Sequence, residues 1–193
     1  MKKLIPIILS ILFVFAYGAK KEVENYPNGN KKSVVKLKNG LKHGKYNAYY
    51  KNGEIQIKGK YENDNEDGTW IFYSDKGKIL GQLIYENGSE KEGRFFEFYE
   101  NEQIKLEANY KDDKRDGKWI FFYENGQIKL EANYKDDKQD GKWTSYHENG
   151  QIEKEGNSKD GEKVGKWTYY NEDGSKIKIE TYKKGKLHKT KEY

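Results

Sequence analysis

The sequence predicts an all-β protein, an elongated array of antiparallel β-hairpins joined into a single-layer, twisted sheet. Three observations carry that expectation. The first is near-verbatim duplication. EGRFFEFYENEQIKLEANYKDDKR (Glu92 to Arg115) is followed at once by DGKWIFFYENGQIKLEANYKDDKQ (Asp116 to Gln139). The second is a period. Glycines at Gly44, Gly68, Gly93, Gly117, Gly141 and Gly165 are spaced 24, 25, 24, 24 and 24 residues apart, and a regular period in this range marks a repeat array. The third is composition. The 36% of charged residues lean toward disorder, but 15% aromatics, with 17 Tyr and 4 Trp, lean the other way. Twenty Gly and two Pro suit many tight turns between short strands.

Residues 1–18 form a separate element. MKKLIPIILSILFVFAYGA has two lysines, an apolar run from Leu4 to Tyr17 and then small residues, the three-part pattern of a secretory signal. The run is shorter than the ~20 residues a spanning helix needs, so cleavage after Gly18 and export to the periplasm, cell surface or medium are expected. The chain contains no cysteine, so neither a disulfide nor thiol chemistry is available to it.

Residues 19–43 carry a frayed partial repeat, YPNGNKKSVVKLKNGLKHG, with the same turn and closing glycines. Six units follow, 44–67, 68–92, 93–116, 117–140, 141–164 and 165–188, and then a basic tail, 189–193. Within a unit, KWIFFY is short and aromatic and suits a strand. ENGQ is a turn in which glycine adopts positive φ cheaply. QIKLEANY alternates, with Ile128, Leu130, Ala132 and Tyr134 on one side and Lys129, Glu131 and Asn133 on the other, as a strand packed on one face does. KDDKQDG is read as a polar loop back to the next glycine. A lone hairpin is marginal in water, so neighbouring units must stabilise each other. In the last unit Ile177 and Ile179 fall one place later than Ile128 and Leu130. A one-residue slip turns side chains to the other face, so this unit is expected to cap the sheet's open end.

The recurring pattern G-K-W-x-x-Y/F-x-x-N-G-x-I-x-x-x-x-x-Y, with D-x-x-D-G linkers, resembles the bacterial variant of the MORN repeat over nearly all of the chain beyond the leader. The resemblance implies an elongated hairpin array that serves as a binding platform rather than an enzyme. Many bacterial members carry the label of a toxin–antitoxin antitoxin component. That role sits poorly with an export signal, because an antitoxin meets its toxin in the cytoplasm.

Candidate functional residues divide into three sets. The aromatics two residues after each glycine (Tyr46, Trp70, Phe95, Trp119, Trp143, Trp167) and five after (Tyr49, Tyr73, Phe98, Phe122, Tyr146, Tyr170) recur in every unit and are expected to hold hairpin to hairpin. Positions four and six after the glycine vary more. Phe72, Tyr99, Phe121 and Tyr123 are the candidate binding face there, since exposed aromatics mark partner surfaces or sugar-stacking sites. The third set is basic. Lys+Arg total 37 against 32 Asp+Glu, a net charge of +5, and seven lysines face two glutamates from Lys176 to Tyr193. Lys183, Lys184 and Lys186 are the candidate contacts to an anionic surface.

No catalytic, cofactor or metal residues are expected. His43, His147 and His188 occupy different repeat positions, and no nucleophile elbow, phosphate loop or zinc-protease pattern occurs. NDNEDG (Asn63 to Gly68) lacks the first Asp of a calcium loop and has Ser74 where its bidentate Glu belongs. Asp112, Asp113 and Asp116 and their copies read as solvated turns. The expected function is an exported protein-binding scaffold working through its sheet face. A glycan or an anionic membrane surface stands as the alternative partner, as does a cytoplasmic antitoxin-like role if the leader is not a signal. A nucleic acid is not expected, and oligomeric state is left open.

Overall fold

The computed structural model describes residues 20–193, and the predicted signal segment lies outside the described residues. The described chain is seventeen strands with no helix. They are β1 (Lys21–Asn25), β2 (Lys31–Lys38), β3 (Leu41–Tyr49), β4 (Ile55–Glu62), β5 (Asn65–Glu66), β6 (Gly68–Tyr73), β7 (Ile79–Glu86), β8 (Ser89–Phe98), β9 (Ile104–Lys111), β10 (Lys114–Arg115), β11 (Gly117–Phe122), β12 (Ile128–Lys135), β13 (Lys138–Tyr146), β14 (Ile152–Lys159), β15 (Glu162–Tyr170), β16 (Lys176–Lys183) and β17 (Lys186–Glu192). Apart from β5 with β6 and β10 with β11, each pairs antiparallel with the next in sequence. β5 and β6 both pair with β4, and β10 and β11 both pair with β9, so each of those two couples is one interrupted strand. The result is an open, twisted meander. Its strands lie ~4.8 Å apart, which makes it roughly 65 Å long.

Both kinds of connection are tight hairpins. At the ENG turns, Tyr123 N donates to Gln127 O at 2.8 Å and Gly126, at φ 84°, donates to Tyr123 O at 2.9 Å. The segments read as polar loops are two-residue turns with both residues left-handed: Asn63–Asp64, Asp112–Asp113 and Asp136–Asp137. Asn-Gly, Asp-Gly and Lys-Gly take the same place at Asn39–Gly40, Asn87–Gly88, Asp160–Gly161 and Lys184–Gly185. Double positive φ matches the twist of the flanking strands. The faint calcium-loop pattern is therefore the corner of a hairpin.

Register divides the side chains between two faces. Trp119 stands opposite Ala132, Phe121 opposite Leu130 and Gly117 opposite Tyr134, giving an aromatic face. Lys118 opposes Asn133 and Ile120 opposes Glu131, giving a polar face. On the aromatic face the rings of one unit lie against those of the next at three junctions. Centroids are 5.1 Å apart for Tyr61 and Trp70, 5.3 Å for Tyr110 and Trp119, and 5.4 Å for Trp143 and Trp167. Such pairs add about 0.5–1.5 kcal/mol each beyond the area they bury. Gly59, Ala108, Ala132 and Gly156 are the floor on which these rings rest. Trp70 and Trp167, over glycine, are 5% and 2% exposed.

The junction of the second and third units departs from the pattern. The second repeat, 68–92, is one residue longer than the others, and the register between β7 and β8 moves by two. Phe95 faces Gly81 and Gly93 faces Leu83, whereas Trp143 faces Ala132 in the regular arrangement. The large and small residues of β7 are exchanged to match. A methyl on Gly81 would lie 2.7 Å from the Phe95 ring, while Leu83 is buried where Gly59, Ala108, Ala132 and Gly156 stand in other units. Gly93 thus lies inside a strand and has none of the positive φ of Gly44, Gly68, Gly117, Gly141 and Gly165.

The C-terminus also corrects two expectations. Ile179 does turn to the polar face, opposite Thr168, but Ile177 is 39% exposed and the sheet continues beyond this hairpin instead of being capped by it. The expected tail at 189–193 is largely strand, since β17 pairs with β16 as far as Glu192.

Candidate functional site: the two faces of the sheet

The twelve recurring aromatics do not form one core. Those two after the glycine line the aromatic face. Those five after it lie half-buried among the polar groups of the opposite face. There the Tyr146 hydroxyl donates to Glu131 Oε2 at 3.1 Å and that of Tyr170 to Glu155 Oε1 at 2.9 Å. Each carboxylate belongs to the preceding unit, so these tyrosines are also joints. The same face carries ion pairs: Arg94 Nη2 to Glu107 Oε1 at 2.7 Å, Lys118 to Glu131, and Lys142 Nζ to Glu155 Oε2 at 3.7 Å. Burial opposes the charge on Glu131, but hydrogen bonds from Lys118 and Tyr146 outweigh it and hold the carboxyl below the usual range.

The candidate binding aromatics have mixed placements. Phe72 and Phe121 are half-buried on the aromatic face, with the Phe121 ring 6.3 Å from that of Trp119. Tyr99 and Tyr123 do not join them in an exposed patch. The Tyr99 hydroxyl donates to Phe122 O at 2.6 Å and that of Tyr123 to Tyr146 O at 2.7 Å. Tyr26 and Tyr50 do the same to Tyr49 O and Tyr73 O, and His147 Nε2 lies 3.1 Å from Tyr170 O. This ladder, interrupted at Ser74, ties one turn to the next. An asparagine ladder runs beside it. Asn125 Oδ1 accepts from Gln127 N at 2.9 Å within its own turn, and its amide donates to Glu148 O at 3.3 Å in the next. Asn52, Asn101 and Asn149 repeat both bonds. Sequence reading missed the ladders. Their signal was a Tyr six residues after the glycine at Tyr50, Tyr99 and Tyr123 and an Asn two further on at Asn52, Asn101, Asn125 and Asn149.

Toward the C-terminus the aromatic face becomes cationic. Lys154, in the place of Leu130, puts its ammonium 4.7 Å from the Trp143 ring centre and 5.0 Å from that of Trp167. Burial lowers its pKa, and Lys163 lowers it further. Lys163 Nζ lies 4.7 Å from the Trp167 ring and 4.8 Å from that of Tyr182. Glu180, in the place of Ala132, is buried. It accepts from Tyr169 at 2.6 Å, Tyr182 at 2.8 Å and Lys178 at 2.7 Å. Burial would raise its pKa, but these donors bring it down to about 2. Lys183, Lys184 and Lys186 are exposed at the final turn. The histidines are not brought together: His43 is on β3, His147 at the turn after β13, and His188 on β17.

The MORN repeat variant profile matches residues 42–63, 66–87, 91–112, 115–136, 139–160 and 163–184, in phase with the glycine spacing. No curated protein matches the chain. Among solved structures, the GtfA/B complex bound to UDP and GlcNAc is 10% identical over 60% of this chain and 22% of its own, with a TM-score of 0.25. The TcdB2–TccC3–Cdc42 structure is 8% identical over 84% of this chain and 11% of its own, with a TM-score of 0.33. A protein of unknown function from Bacteroides fragilis is 9% identical over 91% of this chain and 94% of its own, with a TM-score of 0.12. These scores carry no argument about function or shared fold. The six profile matches cover most of the chain, and repeats of this kind are protein- and membrane-binding modules. The chain belongs to the MORN repeat variant family.

Proposed function

We propose that this chain is an exported, non-catalytic scaffold that engages a protein partner through its open sheet. One observation carries the reading: among the described residues no second layer covers either face, so a surface roughly 65 Å long has side chains repeating in fixed register along it. The aromatic rings are spent largely on one another. The polar face, with its alternating charges and half-buried tyrosines, is the surface best suited to a partner. Family membership supports a binding role, and the leader at 1–18 supports export.

The test has two parts. The native cells are fractionated and the N-terminus of the product is read. A product beginning near Ala19 or Lys20 outside the cytoplasm is expected, whereas an intact soluble chain in the cytoplasm would return the antitoxin-like role. Partners are then captured by crosslinking and their affinity measured on arrays shortened one repeat at a time. Binding should weaken by steps as adjacent repeats are lost. A defined sugar that competes fully would refute a protein partner.

A further inference from the structure

Units three to five neutralise the polar face in one way. The residue after the glycine is basic (Arg94, Lys118, Lys142), and a glutamate on the next strand (Glu107, Glu131, Glu155) pairs with it. Unit one has the base without the acid. Lys45 takes the first position, and Lys58 stands where the glutamate belongs. Lys60 directly opposes Lys45, and Lys58 opposes Asn47. Like charges placed opposite each other destabilise a sheet, so the array tolerates here what it corrects three times elsewhere. Lys60 is paired with Asp67 at 2.8 Å and lies 3.8 Å from Glu62. Lys58 Nζ lies 5.1 Å from the Tyr73 ring centre. Among the described residues neither Lys45 nor Lys58 forms an ion pair. The lysines rim an open hollow of about 470 Å³, with Ile55 and Ile71 as its apolar floor and Asn47 and Thr69 as polar neighbours.

We infer that this hollow binds an acidic, extended polypeptide segment with carboxylates two residues apart, which names the partner chemistry of the scaffold proposed above and rests on that reading. Lys45 and Lys58 are diagonal neighbours on adjacent strands, about 7–8 Å apart at their bases. Same-side residues of an extended chain recur every ~6.8 Å, so two alternate acidic side chains meet the two ammoniums in register. Asn47 and Thr69 are placed to bond the backbone of such a segment, and the isoleucine floor takes its intervening apolar atoms. A lone phosphate needs donors converging on one point, which diagonal lysines on an open sheet face do not provide.

The experiment titrates the full exported chain with a fluorescent peptide of alternating glutamate and threonine. An isomer with its glutamates in one block, and vesicles of phosphatidylserine in phosphatidylcholine, serve as the other arms. The alternating peptide should bind, lose affinity steeply with salt, and weaken at least about tenfold on Lys58→Glu. Fold is preserved in that variant because Glu107, Glu131 and Glu155 already occupy the position. Lys166→Glu, at the far end of the same face, should leave binding unchanged. Equal binding of the block isomer, indifference to Lys58→Glu, or vesicles recruited through the same lysines would each overturn the inference. A peptide that fails to bind, while a captured partner maps to other repeats, would sink the inference and leave the scaffold standing. Failure of every polypeptide in both experiments would sink both.

Discussion

Gly156 lies beneath the Trp167 indole, and a methyl there would overlap the ring. Its φ is not in the left-handed region, so the backbone accepts alanine. Two effects of Gly156→Ala therefore have opposite sign. Restricting the unfolded chain stabilises by about 0.4–1 kcal/mol. Forcing an atom into a packed contact destabilises by about 1–3 kcal/mol. The ring is 2% exposed and closely held, so the second effect should win and the variant should lose about 1–2 kcal/mol. Denaturant unfolding followed by tryptophan fluorescence measures this. The double variant Gly156→Ala/Trp167→Phe should recover most of the penalty, since a smaller ring leaves room and contacting sites are energetically coupled. A stabilised Gly156→Ala protein, or a double variant with simply additive losses, would refute the view that small residues are the floor for each neighbour's ring.

The other predictions concern the joints. Tyr123→Phe removes one ladder bond and should cost about 0.5–1.5 kcal/mol in thermal or chemical unfolding. Asn125→Ala removes a turn cap and an inter-turn bond together and should cost more, while Asn125→Asp keeps the acceptor within the turn and should fall between the wild type and Asn125→Ala. Glu180 titrates at about 2 in the folded chain against an ordinary value of 4.5. A carboxyl depressed by folding adds stability above its unfolded value and loses it as pH falls toward the folded one. The unfolding midpoint should therefore decline between pH 4.5 and about 2, and Glu180→Gln should flatten that decline.

Much of the fold was legible because a few strong signals recur. Glycines at a near-constant spacing, the alternation from Ile128 to Tyr134 and the aromatics two after each glycine were enough to place a hairpin in every unit. What escaped was conformational. Asp112–Asp113 reads as a loop because aspartate is only a modest left-handed residue; the Asn-Gly and Asp-Gly pairs at the equivalent places, Asn87–Gly88 and Asp160–Gly161, were the clue that it is a hairpin turn. Parity grouped Tyr99 and Tyr123 with Phe121, but the chain leaves the strand before them, and their hydroxyls turn to the neighbouring turn. Gly93 looked equivalent to Gly117. One inserted residue moved its strand, and the exchange of Gly81 and Leu83 was the trace left in the sequence. The binding surface was the least legible part. The unpaired lysines of unit one lie on different strands, and they stand out only once register sets them beside the pairs of units three to five.

The most direct test of the account is to excise residues 117–140, joining Asp116 to Gly141, and to measure the solution dimensions by small-angle X-ray scattering beside the circular dichroism per residue. The cut removes one repeat between equivalent positions. A meander held by neighbours should close on itself, keep its β signal per residue and shorten by roughly 10 Å, two strand spacings. An unfolded or aggregated product, or one whose length does not change, would contradict a sheet built unit upon unit.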